Sequence, residues 1–291
     1  MDVTDLVLPD GFSAESRAVF PILLDAGALA FSYFSAWHNA AHSTALPVEW
    51  KDAEEPVTLA DRAVSDLCVN GLRATFPHDL VISEEEPEDR TARLSASRFW
   101  LVDPIDGTKD FIAGRPGFSV MIGLVSDGVP VLGMVYQPAA ARLWIAQKGV
   151  GAYECIEQET PRRMTVSSIS DLESARMVSS ASSPAELVGK LRDRAGIRDD
   201  LQVGSVGVKL CLIAASRRDL YVNPGNRCKL WDTAAPEIIL SESGGKLTDL
   251  HGNPLRYRDD RVGHVQGLVA SNGVLHHPAL SVLSQLLSQK S

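Results

Sequence analysis

The sequence predicts a mixed fold, an α+β first half passing into an α/β second half, and three observations carry that reading. Two apolar-patterned helical segments precede a run of short β-rich segments, a strong hairpin signal joins two of those segments, and strand and helix signals alternate beyond residue 160.

The first segment, about Ala14 to Ala41, is rich in Ala, Leu and Phe at helical spacing and reads as one long or broken helix, with Pro21 marking its start or a kink. A second helix over Ala60 to Phe76 sets Val64, Leu67, Cys68 and Leu72 on one face, ends at Pro77 and carries Asp61 in its first turn. Leu80 to Ile82 and Phe99 to Val102 are short strands that run straight into acidic residues. Phe118 to Val125 and Val129 to Tyr136 are joined at Asp127-Gly128, a dipeptide suited to the tight turns of antiparallel hairpins. Leu143 to Ala146 and Ala152 to Cys155 extend that sheet.

A polar stretch around Glu157 to Arg163, containing Pro161, divides the chain. Residues 1–160 form an N-terminal α+β subdomain holding the metal-binding motifs, and residues 161–291 a C-terminal α/β subdomain that completes the site. In the second half, strands at Ala175 to Ser179, near Val203, at Asp219 to Val222 and at Gly267 to Ala270 alternate with helices. The helices are Pro184 to Arg194, Val208 to Ser216, Asp232 to Ser243 capped by Gly244-Gly245, and Pro278 to Leu287.

The chain has 291 residues, enough for two subdomains or one large layered domain with a sizeable core. A net charge of −9 argues against nucleic acid or an anionic membrane as partner, since both call for a basic face. An acidic protein that takes a small anionic metabolite must screen its approach with bound cations and a few Lys and Arg. Cys68, Cys155, Cys211 and Cys228 form no CxxC pair, so they read as reduced, buried thiols of a cytoplasmic protein. Met1 to Asp10 has no basic stretch and does not read as a signal peptide, and no run of about 18 apolar residues predicts a membrane span.

The most informative segment is Asp103-Pro104-Ile105-Asp106-Gly107-Thr108, where a buried strand ends and the chain turns. Two carboxylates three residues apart on a Pro-rigidified turn can face one side, with the carbonyl between them as a further oxygen, a donor set suited to Mg²⁺. Gly107 and Thr108 open a short helix whose N–H groups can seat a phosphate. Taken alone, this turn reads as a solvated acidic loop, Glu84-Glu85-Glu86 as another, and Asp232 as a helix N-cap. Together they supply oxygens for two metals, and two cations about 4 Å apart can grip a phosphate and generate hydroxide. No Ser-His-Asp or Cys-His pattern is placed for a covalent route. His251, His276 and His277 read as solvated loop residues.

Val57 to Asp61 (VTLAD), Ser83 to Glu86 (SEEE), Asp103 to Thr108 (DPIDGT) and Trp231 to Glu237 (WDTAAPE) together resemble the lithium-sensitive inositol monophosphatase superfamily, from about residue 50 to 255. The fold this resemblance implies is a layered α/β/α/β/α sandwich. Thr108 to Phe111, Lys209 to Ala215 and Trp231 to Leu255 are most similar to 3′(2′),5′-bisphosphate nucleotidases, and Lys51 fits their spacing. Those enzymes remove the 3′-phosphate of adenosine 3′,5′-bisphosphate, a by-product of sulfur metabolism. The resemblance implies two or three Mg²⁺ ions, the first on Glu84, Asp103 and the Ile105 carbonyl, the second on Asp103, Asp106 and Asp232. Glu84, or Glu85 if the register is shifted by one, is also implied to hold a third ion through water. Thr108, oriented by Asp61, positions the attacking water on the same implication. Gly107, Thr108, Lys209, Arg227 and Lys229 are the substrate-side candidates.

The Ser179-Ser180-Ala181-Ser182 run and Asn223 depart from the bacterial pattern, which keeps an inositol-phosphate or sugar-phosphate phosphatase open as the alternative. A catalytically silent regulatory relative is a second alternative, and a homodimer is compatible with all three readings.

Overall fold

The computed structural model describes residues 6–39, 48–50, 56–180 and 185–289. Helix α1 (Ala14–Asn39) contains Pro21 in its interior; the expected extension to Ala41 lies outside the described residues, as does Lys51. Strands β1 (Val48–Trp50) and β2 (Pro56–Thr58), which the sequence reading did not anticipate, pair antiparallel and lead into α2 (Leu59–Thr75). Thr58 caps α2: its hydroxyl takes the N–H groups of Ala60 and Asp61 at 3.1 and 3.4 Å, while Asp61 takes the Thr58 N–H at 2.7 Å.

Next come β3 (Leu80–Ser83), α3 (Arg90–Ser95), β4 (Arg98–Asp106), α4 (Thr108–Ile112), β5 (Ser119–Ser126), β6 (Val129–Gln137), β7 (Arg142–Gln147), β8 (Gly151–Ile156) and β9 (Arg162–Arg163). The strands form one seven-stranded sheet in chain order, β3 parallel to β4 and every other pair antiparallel. The Asp127-Gly128 hairpin is present, with both residues at positive φ as that turn requires. Because Arg162 and Arg163 pair with Glu154 and Tyr153, the first sheet runs past the expected boundary at residue 160.

The second half supplies β10 (Arg176–Ser179), α5 (Ala185–Ala195), β11 (Asp199–Gln202), α6 (Val206–Ala214), β12 (Leu220–Asn223), α7 (Leu230–Glu242), β13 (Lys246–Thr248), β14 (Leu268–Ser271) and α8 (His276–Ser288). The strand expected near Val203 ends one residue earlier, at Gln202, in β11. These strands make a five-stranded sheet in the order β11-β10-β12-β14-β13, parallel across β11, β10 and β12 and antiparallel beyond.

Strand alternation stacks five layers. Val120, Ile122 and Leu124 of β5 face α1 and α2, whereas Met121, between them, faces the middle layer of α6 and α7. Tyr221 of β12 faces that middle layer from the other sheet, while its neighbours Leu220 and Val222 face α5 and α8. The result is the α/β/α/β/α sandwich. Its middle helices pack on both sheets, so the halves are joined through α6 and α7.

Helix α1 is long and apolar enough to cross a membrane by length and composition, although it contains no unbroken run of about 18 apolar residues. Its Val19, Leu23, Ala26 and Ala30 are fully buried against α2 and the first sheet. His276 is also not a loop residue. It starts α8, buried, with its ring nitrogens 2.9 Å from the Thr248 hydroxyl and 3.0 Å from that of Ser271.

Candidate metal centre

Strand β4 does not stop at Val102; it continues through Asp103-Pro104-Ile105-Asp106. Residues three apart on a regular strand point to opposite faces. Asp103 pairs with Met121 and Asp106 with Ser119, so β4 carries one more residue than β5 between these points. That bulge, at a Pro with no N–H to give the ladder, cancels the alternation and brings both carboxylates to one side.

Asp232 meets them from α7. As the third residue of that helix it accepts the backbone N–H of Lys229, the same reach-back by which Asp61 caps α2. One oxygen each of Asp103, Asp106 and Asp232 lies within 4.8 Å of the others. Asp106 Oδ2 is held by the Ser205 hydroxyl at 2.6 Å and the Gly207 N–H at 2.7 Å. By contrast, both oxygens of Asp103 are buried and neither receives a hydrogen bond from any described residue. A buried carboxylate without donors is costly unless a cation compensates it, so this set fits a metal centre.

The electrostatics agree. Burial, then the charges of Glu84, Asp106 and Asp232, push Asp103 well above the usual carboxylate range. Asp232 is pushed up likewise, by burial and then Asp106 and Glu84. Burial also raises Asp106, opposed by Lys209, Ser205 and Gly207. Glu84 acts on both Asp103 and Asp232; Glu85 acts on Asp61, and Glu86 pairs with Arg73 at 2.8 Å. The geometry therefore favours Glu84 over its neighbours as the glutamate of the cluster. Its carboxylate is also 3.6 Å from Lys229 Nζ.

Beside the acids, Thr108 opens α4, its hydroxyl 3.4 Å from Asp61 Oδ1 and 3.1 Å from the Ile105 carbonyl. Burial raises Asp61 to about 7, against the two Thr58 hydrogen bonds and with help from Glu85 and Glu84. Gly107 sits at φ +94°, and a Cβ there would lie 2.9 Å from the Gly117 carbonyl, so only glycine fits this turn.

A cleft of about 300 Å³ adjoins Asp232, lined among others by Ser180, Tyr221, Asn223, Arg227 and Cys228. Lys209 corrects the sequence reading. It is fully buried and its ammonium donates to the Ser180 hydroxyl and to the Val203 and Gly204 carbonyls at 2.7–2.9 Å. With three donors engaged it braces the wall of the cleft rather than offering a donor to a ligand. Burial lowers it to about 8, against the pull of Asp106.

Sequence reasoning missed Ser205, Gly207 and Asp110. Asp110 takes the Gly204 N–H at 2.8 Å and ties α4 to the loop that holds Asp106. The available signal was Gly204-Ser205 before an apolar run, a helix start at which Ser205 does cap α6.

The sequence model of the inositol monophosphatase family matches residues 17–288. The chain is 37% identical to the histidinol-phosphatase of Mycobacterium tuberculosis over 82% of its own length and 88% of that protein's. It is 34% identical to the 3′(2′),5′-bisphosphate nucleotidase CysQ of Escherichia coli, over 71% and 81% respectively. Among solved structures, the Thermotoga maritima IMPase superposes with a TM-score of 0.78 at 28% identity, covering 95% of this chain and all of that one. The matched family model, the layered fold and the acid cluster agree: this chain belongs to the inositol monophosphatase family of metal-dependent phosphatases.

Proposed function

We propose that the chain is a cytoplasmic Mg²⁺-dependent phosphomonoesterase that removes the 3′-phosphate of adenosine 3′,5′-bisphosphate, leaving AMP. The observation that carries the phosphatase chemistry is the Asp103-Asp106-Asp232 cluster, whose central carboxylate takes no hydrogen bond from the described residues. Glu84, Asp103, the Ile105 carbonyl, Asp106 and Asp232 would hold two or three ions. When bound, such ions act as Lewis acids on the phosphoryl oxygens and lower the pKa of water.

The chain's own residues do the positioning. Thr108 accepts a hydrogen bond from the attacking water while donating to Asp61 or Ile105, which fixes the direction of the water's lone pair. Gly107 and Thr108 contact the phosphate that is cut. Arg227 in the cleft wall and Lys229, whose ammonium lies 3.6 Å from Glu84, offer positive charge to a second phosphate, which favours a bisphosphate over a monoester. Li⁺ inhibition accompanies this reading.

A second reading, cleavage of histidinol phosphate, is favoured by the 37% identity to the mycobacterial histidinol-phosphatase. Measuring kcat/KM with Mg²⁺ on adenosine 3′,5′-bisphosphate, histidinol phosphate and inositol 1-phosphate, with and without Li⁺, separates them. A preference for either monoester over the bisphosphate sinks the nucleotidase reading.

A further inference from the structure

The first sheet has a second functional face. Asp103, Met121 and Val135 are register partners across β4, β5 and β6, and Met121 and Val135 pack on the middle layer. Tyr136, one residue further along β6, points to the opposite face, toward α1. There α1 and the corner between β6 and β7 enclose a cavity of about 310 Å³, within the range of small-molecule sites, about 300–1,000 Å³. Its apolar walls are Ala28 and Phe31 of α1, Tyr136 of β6, and Pro138 and Ala141 of the corner.

The aromatic walls are held in place. A Cβ at Gly27 would lie 2.1 Å from Tyr136 Cδ1, so α1 gives up a side chain at that point to seat the ring. Phe31 stacks on Phe34 with ring centroids 6.2 Å apart, and Phe34 meets the buried Phe118 at 5.0 Å, which fastens the second ring to the core.

Two polar groups face this apolar space. Tyr136 is 3% exposed, and its hydroxyl makes no hydrogen bond to any described residue. Glu157, half-buried just past the end of β8, brings a carboxylate that has no ion pair or hydrogen bond among the described residues. Burial and then the charge of Glu157 raise the Tyr136 hydroxyl to about 12, so it stays protonated beside that carboxylate. A half-buried carboxylate calls for a cation, aromatic faces attract one through their quadrupole, and apolar walls take a hydrocarbon or aryl body. An anion would be repelled here, and a neutral molecule would leave Glu157 uncompensated.

We propose that this cavity is a binding site for a small primary amine with an apolar body, its ammonium on Glu157 and the Tyr136 hydroxyl and its body against Ala28, Phe31 and Pro138. The assignment is independent of which phosphate ester the metal centre cuts. Leu6 also borders the cavity, so residues 1–5 are the rival occupant that the test separates.

The probe is phenethylamine, compared with 2-phenylethanol and 3-phenylpropionate, which keep the ring and replace the ammonium by a neutral or an anionic group. Ligand-detected NMR titration of the full chain at neutral pH is expected to give saturable binding of the amine with a Kd of about 1 mM or tighter, and both analogues about tenfold weaker or more. Glu157→Gln keeps the shape and removes the charge. It should weaken the amine about tenfold or more and leave 2-phenylethanol unchanged. Ala28→Leu fills the cavity and should abolish binding of the amine; Ser35→Phe fills it from two turns further along α1 if A28L does not fold. Because a net charge of −9 draws amines to the whole surface, these variants decide the site. No saturation by about 10 mM, equal affinity for the propionate, or unchanged amine binding in E157Q or in the cavity-filling variant overturns the proposal. So does amine binding that appears only in a variant lacking residues 1–5, which would make that segment the occupant.

Discussion

The hydroxyl of Thr108 stands 3.4 Å from Asp61 Oδ1 and 3.1 Å from the carbonyl of Ile105, so one hydroxyl links the cap of α2 to the acidic bulge of β4. Asp61 is itself held at 2.7 Å by the Thr58 N–H and at 2.6 Å by the Thr58 hydroxyl. A hydroxyl held this way has a fixed direction. Thr108→Ala is expected to lower kcat by about 10²-fold or more with a small change in KM, and Thr108→Ser to keep most of it. Steady-state kinetics on the preferred substrate checks this, and a T108A enzyme within threefold of the parent removes Thr108 from the mechanism.

Asp103 has the opposite situation, two buried oxygens with no donor among the described residues and three acidic neighbours. Neutralising it relieves repulsion in metal-free protein and removes the centre of the cation site. Asp103→Asn is therefore expected to raise the metal-free Tm by several degrees, roughly 1–2 kcal/mol, while abolishing both turnover and stabilisation by Mg²⁺. Differential scanning calorimetry with and without Mg²⁺ reads both effects; a D103N protein that Mg²⁺ still stabilises would place the ion elsewhere.

The raised carboxylates set the pH dependence of the metal-free protein. Asp61 goes from 3.8 when unfolded to about 7 when folded, so between these values the native state binds the extra proton. The Asp61 share of stability then falls as pH rises through that window and levels off above about 7. Thermal unfolding in chelator from pH 4.5 to 8 should show this decline, and Asp61→Asn should flatten its Asp61 share.

Gly207 donates its N–H to Asp106, and a Cβ there would lie 2.2 Å from Met121 Sδ and 3.2 Å from Val135 Cγ1. Gly207→Ala must displace either the buried Met121 side chain or the start of α6. The expected cost is about 1–3 kcal/mol in a urea melt, with reduced activity because one of the donors that hold Asp106 shifts. A fully active, fully stable G207A would show that this contact yields easily.

Arg227 tests the substrate side. Arg227→Ala is expected to raise KM for adenosine 3′,5′-bisphosphate about tenfold or more, with little change for inositol 1-phosphate, because only the bisphosphate carries a second anionic group. Equal effects on both substrates would assign Arg227 to the phosphate that is cut.

Much of the fold was legible locally. Helices α1, α2 and α7 and the β5–β6 hairpin follow from apolar spacing, caps and the Asp127-Gly128 turn, all short-range signals. Helix α3 and the short strands β9 and β13 were not, since a few residues carry too little pattern and their pairing partners decide them. His276 looked like a loop histidine because the hydroxyls that bury it, Thr248 and Ser271, come from other strands.

By itself the sequence determined which acids are present, on which elements they ride, and that an oxygen-rich site is built from Asp103, Asp106 and Asp232. Only the tertiary structure decided how they meet. The bulge that turns Asp103 and Asp106 to one side depends on register against β5, and the donors that hold Asp106 arrive from a loop about a hundred residues later. Lys209 changed from ligand candidate to buried brace for the same reason. A side chain's role is set by which donors and acceptors surround it, and packing between distant elements chooses them.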